Sequence, residues 1–132
     1  KERILPTMQC QTPHLLRDLE GWDSIDADFE WASDEPSVNR YTAGGQFEPH
    51  RDGYPLTIVL LLSKDSDFVG GGTKFFEFEQ NLAKGSQPDR GRSVLLQPSQ
   101  GTALCFDGDI THAGSPVIFG TRHVFVASFG IK

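Results

Sequence analysis

Several large classes of protein are excluded by what this chain has little of. It carries two cysteines, Cys10 and Cys105, 95 positions apart, too few for a disulfide framework. Cys105 lies in the apolar run "ALCF", where a buried, inert thiol is the expected state. Basic side chains are scarce, with 12 Lys and Arg against 18 Asp and Glu for a net charge of −6. Binding a phosphate backbone takes clustered Lys and Arg, so no nucleic-acid partner is expected. Long hydrophobic runs are missing too. "PLTIVLLL" from Pro55 to Leu62 is the longest, far short of the ~20 residues that cross a bilayer; it reads as a buried strand, and no membrane partner is expected. The opening residues "KERILPTMQC" hold no apolar stretch of signal-peptide length, so nothing in them directs secretion and the compartment stays open. No internal repeat or low-complexity segment is present.

What remains is 132 residues, 37% of them hydrophobic, the size of one domain with a single core. The reading is therefore one domain over 1–132, with a helical and acidic support over 1–35 and a β core over 36–132. "TPHLLRDLEG" predicts a short N-terminal helix: Thr12 caps, Pro13 suits the first position, Leu15, Leu16 and Leu19 share a face, and Gly21 ends it. From Ser24 to Glu35 the chain turns acidic around Phe29 and Trp31 and reads as a solvated loop or edge. Beyond Pro36, short strands are expected at Ser37–Tyr41, Gln46–His50, Leu56–Leu62, Thr73–Phe78, Arg92–Leu96, Thr102–Phe106, Ile110–Ala113 and Arg122–Phe129. The breaks between them are rich in glycine and proline, among them "SKDSDFVGGG" and "AGSPVIFG". Many short strands with frequent turns predict a mainly β fold, a sandwich or barrel.

The four histidines have different surroundings. His14 falls in the first turn of the expected helix, and His123 lies in a strand of apolar alternation; both read as structural. His50 is followed two positions later by Asp52, in "FEPHRDG", a spacing that in extended chain sends both side chains to one face and Arg51 to the other. His112 follows "CFDGDIT", where a strand restarts after a tight turn. Two imidazoles and one carboxylate on one side of a metal leave three coordination positions open, as in non-haem Fe(II) oxygenases. An H-x-D tripeptide is common by chance, but a rolled sheet that joins the end of one strand to the start of another brings His112 to the pair. Arg122 heads the last strand, "RHVFVASF", sharing a face with Val124, Val126 and Ser128. Buried there, it would need an anionic partner; at a strand end it would be an ordinary surface residue.

Taken together, "NRYTAGGQFEPHRDG", "GGGTKFFE" and "QPSQGTALCFDGDITHAGSPVIFGTRHVFVASF" resemble the catalytic core of the 2-oxoglutarate and Fe(II)-dependent oxygenases, in the branch with prolyl and lysyl hydroxylases. The resemblance runs from about Val38 to the C-terminus. It implies a double-stranded β-helix, or jelly roll, with His50, Asp52 and His112 holding Fe(II) and Arg122 pairing with the distal carboxylate of 2-oxoglutarate. Tyr41 matches a family tyrosine that reaches the cosubstrate, and Thr57 is expected to line the same pocket. O2 is the second cosubstrate, and ascorbate belongs to the same expectation as an accessory reductant. The implied reaction decarboxylates 2-oxoglutarate to succinate and CO2 while a substrate C–H is hydroxylated. Asp52 favours hydroxylation over halogenation, since halogenating relatives replace the carboxylate.

Collagen-type prolyl hydroxylases carry lysine where this chain has Arg122, so lysyl-hydroxylase-like or oxygen-sensing members fit better. Phe47 stands where some relatives have a second tyrosine, and His123 where an aromatic follows the basic anchor. "GGGTK" lacks the Gly-Lys-Ser/Thr ending and following helix of a phosphate loop, and matches instead a "GGxT" bend of the family. "DGD" at Asp107 to Asp109 reads first as a turn and only second as a carboxylate pair that touches substrate. The expected substrate is a protein or peptide side chain, proline ahead of lysine. The rivals are a small-molecule hydroxylase and a catalytically silent β-helix that binds a ligand or partner.

Overall fold

The computed structural model describes residues 28–76 and 93–132. The expected helix from Thr12 to Gly21, with His14, and the thiol of Cys10 lie outside the described residues.

Apart from one 3-10 turn at Asp65–Asp67, the regular structure of the described chain is all antiparallel strand: β1 Phe29–Trp31, β2 Ser37–Tyr41, β3 Phe47–His50, β4 Leu56–Leu61, β5 Phe68–Gly70, β6 Thr73–Phe76, β7 Ser93–Leu96, β8 Ala103–Phe106, β9 His112–Gly114, β10 Val117–Gly120 and β11 Arg122–Ile131. Four pairings nest inside one another: β2 with β11, β3 with β9, β4 with β8, and β6 with β7. The chain is thus one long antiparallel ribbon wound over itself, and successive turns of the winding fall into two sheets. One has the order β1-β11-β4-β8 with β2 also on β11, the other β3-β9-β6-β7. The arrangement is mainly β and consistent with the expected jelly roll.

β4 and β11 carry the core because they are paired over six residues in the middle of the first sheet. Leu56, Ile58 and Phe129 cluster on one face, with Cys105, Phe29 and Ile131 packed against them. Val59, Leu61, Phe106 and Val124 cluster on the other, and there Phe75 of β6 meets Phe106 edge-on at 4.9 Å, tying the two sheets together. "LTIVLL" is apolar on both faces because both faces are covered, and each such side chain contributes about 1.5–3 kcal/mol of burial.

Two strands arise where the sequence reads as loop, and a third, at a sheet edge, where it reads as loop or edge. β5 and β10 sit inside the glycine-rich breaks "SKDSDFVGGG" and "AGSPVIFG" and pair with each other, Phe119 opposite Val69 and Gly120 opposite Phe68. Ile118 and Phe119 are 70% and 73% exposed, so no burial alternation marks the strand; it exists because two distant loops meet. β1 lies in the acidic stretch and pairs Phe29, Glu30 and Trp31 with the end of β11, which therefore continues to Ile131. The expected strand at Ile110 starts at His112 instead, since the Ile110 N–H closes a turn on the Asp107 carbonyl at 3.0 Å.

Candidate metal centre and cavity

The register of β3 on β9 sets His50 directly opposite His112, 62 positions later in the chain. Their rings lie 4.5 Å apart. Asp52 follows just beyond β3, its backbone N–H held by the Gly108 carbonyl at 2.9 Å. A side chain at Gly108 would strike the Tyr54 carbonyl at 2.2 Å, so the "DGD" turn needs glycine to come this close. Within the turn the Asp107 carboxylate accepts from the Asp109 N–H at 2.8 Å, a turn-forming role in keeping with the first reading of that motif.

His50 Nε2 lies 3.1 Å from Asp52 Oδ1, and His112 Nε2 lies 3.6 Å from Asp52 Oδ2. One donor atom from each of the three residues falls within 4.8 Å of the others. Both imidazoles are oriented alike by their own backbone: His50 Nδ1 lies 2.8 Å from the Glu48 carbonyl, and His112 Nδ1 lies 2.9 Å from the Ile110 carbonyl. A carbonyl only accepts, so each Nδ1 carries a proton, and in the neutral imidazole it is Nε2 that has the lone pair and faces the gap. Holding the far nitrogen in this way is what metal-ligating histidines need. Cis donors on a metal with bonds of about 2.1 Å stand about 3 Å apart, close to the His50–Asp52 separation. The donor set of two imidazoles and a carboxylate fits Fe(II) with open positions.

The three donors differ in burial. His112 is 3% exposed and wedged among Phe106, Phe47 and Phe75, with ring centroids at 4.8, 5.9 and 6.1 Å. The side chain of His50 is 44% exposed and faces out at the strand end. Phe47 packs on both rings; Gly114 opposite leaves it room, since a Cβ there would lie 2.4 Å from the Phe47 ring.

A cavity of about 200 Å³ opens beside these donors between the two sheets. Its walls include His50, Asp52, His112, Tyr41, Phe47, Thr57, Thr73 and Arg122, with Val59, Val124 and Val126 forming an apolar side and Glu35 and Asn39 a polar one. Arg122 is 4% exposed and pairs across the strands with Tyr41, whose ring centroid lies 5.9 Å from the guanidinium carbon. Burial pushes the Arg122 pKa down, and the neighbouring Tyr41 pulls it back up. No carboxylate among the described residues makes an ion pair with it. The "GGGT" bend explains how so large a side chain fits: Gly70, Gly71 and Gly72 all have positive φ, and a Cβ on Gly71 would lie 2.8 Å from Arg122 Cδ.

All six residues singled out in the sequence line this one cavity. Thr57 does so with its hydroxyl committed to Asp52 Oδ2 at 2.5 Å and in contact with Ser128 Oγ at 3.2 Å. His123 points away, with Ser63 as its partner. Glu35, Asn39 and Thr73 were not anticipated. Asn39 shares strand parity with Tyr41, a signal that was available; Glu35 sits in the acidic run and gave none. Its carboxylate accepts from the Ser128 N–H, filling the gap on β11 between β1 and β2.

No curated protein matches the chain. Residues 36–129 match the 2OG-Fe(II) oxygenase superfamily, a span that takes in β2 to β10, β11 as far as Phe129 and all three metal donors, with β1 lying before it. The chain belongs to that superfamily: it is an oxygenase that depends on Fe(II), 2-oxoglutarate and O2.

Proposed function

We propose that this oxygenase hydroxylates a side chain of a protein or peptide substrate, in the manner of the prolyl and lysyl hydroxylases, on a double-stranded β-helix with His50, Asp52 and His112 as the iron ligands. The observation that carries the site assignment is the pair of Nδ1 hydrogen bonds to backbone carbonyls, which leaves both Nε2 atoms facing the Asp52 carboxylate. When bound, iron and 2-oxoglutarate would let O2 act as the oxidant, one oxygen atom going to succinate as 2-oxoglutarate loses CO2 and the other to the substrate, whose C–H becomes C–OH.

The chain's own residues bind and orient. Arg122, buried and without an acidic partner among the described residues, pairs with the distal carboxylate of 2-oxoglutarate in a bidentate fork. Tyr41 places its phenol beside the same carboxylate. Val59, Val124 and Val126 flank the methylene carbons and keep water from that side. A substrate side chain enters past His50, the exposed donor. A protein or peptide substrate is favoured over a free small molecule by the family resemblance. Proline is favoured over lysine by the resemblance alone.

Iron-loaded protein is incubated with labelled 2-oxoglutarate and a peptide library, and succinate is measured. Stimulation by proline- or lysine-containing peptides is expected. Stimulation by small metabolites alone would replace the substrate assignment. Binding of 2-oxoglutarate with no succinate above background under any condition would favour a silent binding module.

A further inference from the structure

The inward row of β4 and β11 is apolar at Val59, Leu61, Val124 and Val126 but ends in two hydroxyls, Thr57 and Ser128, each 1% exposed. They are cross-strand partners. Buried hydroxyls in such a row cost free energy unless bonded, and here their bonds lead in one direction. Thr57 has one proton; its 2.5 Å contact with the Asp52 carboxylate takes it, because a carboxylate only accepts. At the 3.2 Å contact between Thr57 and Ser128, Ser128 is therefore the donor. Ser128 is in turn held by its backbone, whose N–H the Glu35 carboxylate receives.

We propose that Thr57 and Ser128 are positioning residues for Asp52, an inference that rests on the metal-site reading above. The Thr57 hydroxyl takes one lone pair of Oδ2, which also lies 3.6 Å from His112 Nε2, and so leaves Oδ1, the oxygen 3.1 Å from His50 Nε2, as the one better able to bind the metal. One carboxylate oxygen then takes one coordination position. Released from Thr57, the carboxylate is free to rotate or to offer both oxygens, and a second bound oxygen would occupy a position that chelation by 2-oxoglutarate requires. Charge-assisted O–H···O⁻ bonds of this length are the strong kind.

The test uses Thr57→Val, isosteric and at home in a strand, with Thr57→Ser as the conservative variant and Ser128→Ala one step further out. Apo protein is titrated with Co(II), and the visible spectrum of the Co(II) protein is recorded with and without 2-oxoglutarate. Thr57→Val is expected to weaken Co(II) binding by about 10–100-fold and to change the Co(II) spectrum. Thr57→Ser should restore both, and Ser128→Ala should show a smaller loss of the same kind. Thermal unfolding of the apo proteins separates positioning from packing: a merely structural hydroxyl lowers the melting temperature and leaves the spectrum alone. Wild-type affinity and spectrum in Thr57→Val overturn the positioning role while the metal site stands. Failure of the wild-type protein itself to bind Co(II) overturns the metal reading and this inference with it.

Discussion

Gly71 leaves the space that the Arg122 side chain fills: a Cβ at Gly71 would lie 2.8 Å from Arg122 Cδ and 3.4 Å from Nε. The bend is pinned on both sides, by the Gly71 N–H on the Pro116 carbonyl at 2.8 Å and by Gln97 Nε2 on the Gly71 carbonyl at 3.1 Å. Gly71→Ala therefore meets two penalties, a left-handed φ of 66° that costs about 1–2 kcal/mol for an L-residue and a displaced guanidinium stem. The expected outcome is a lower melting temperature together with a raised half-saturation for 2-oxoglutarate. A lower melting temperature with an unchanged half-saturation would limit Gly71 to backbone geometry.

Arg122 itself gives the larger effect. Removing one partner of a buried charge pair costs about 3–5 kcal/mol, or roughly two to three and a half decades of affinity. Arg122→Gln should raise the 2-oxoglutarate requirement by that order while Fe(II) affinity changes little. Arg122→Lys should lose less, because charge survives and the planar fork does not. A titration of 2-oxoglutarate against succinate for the three proteins at fixed iron checks this; similar half-saturation values would place the cosubstrate elsewhere.

The two histidines should separate in stability though not in function. His50→Ala and His112→Ala are both expected to abolish Fe(II) binding. Only His112→Ala empties a space among Phe47, Phe75 and Phe106, and large-to-small changes at such sites cost about 2–5 kcal/mol. His50, exposed at the strand end, should unfold near the wild-type temperature. Asp52→Ala should likewise lose activity with its β circular dichroism intact. Equal melting temperatures for the two histidine variants would contradict the packing described around His112.

Cys105 is a free thiol whose pKa partial burial pushes above the ordinary thiol value. At a given mildly alkaline pH it holds less thiolate than an exposed cysteine and should alkylate more slowly, which mass spectrometry of a Cys10→Ser protein treated with iodoacetamide measures. The linkage follows with a definite sign. Above pH 9 the unfolded thiol loses its proton while the folded one keeps it, so the unfolded state binds fewer protons and stability falls as pH rises. Replacing Cys105 with Ala should flatten that decline; the thiol is half-buried rather than enclosed as the apolar run suggested, and an alkylation rate equal to that of an exposed thiol would contradict even that shielding.

How much of this was legible beforehand varies by residue. That His50, Asp52, His112 and Arg122 come to one cavity is suggested by local patterns: H-x-D spacing, the strand restart after "DGD" and the head of the last strand. Glu35 was not, because a carboxylate in an acidic run looks solvated until β1 and β2 are seen to share one edge of β11 with a gap at Ser128. β5 and β10 read as loop because glycine and proline punctuate both segments, and their pairing joins residues 47 to 52 positions apart. Gly71 was recognised as part of a bend, but not as the seat of Arg122.

Local pattern alone establishes the alternation of faces along each strand, the acidic balance, the residue types able to hold a metal and a carboxylate anchor, and the likeness to an oxygenase family. Those follow from backbone periodicity and side-chain chemistry, which act over a few residues. The register of β3 on β9 belongs to the tertiary structure. So do the backbone carbonyls that fix both imidazole tautomers, and the burial of Arg122 against a glycine fifty-one positions earlier. Each depends on which distant segments meet, and on the close-packed interior that lets them meet in only one register.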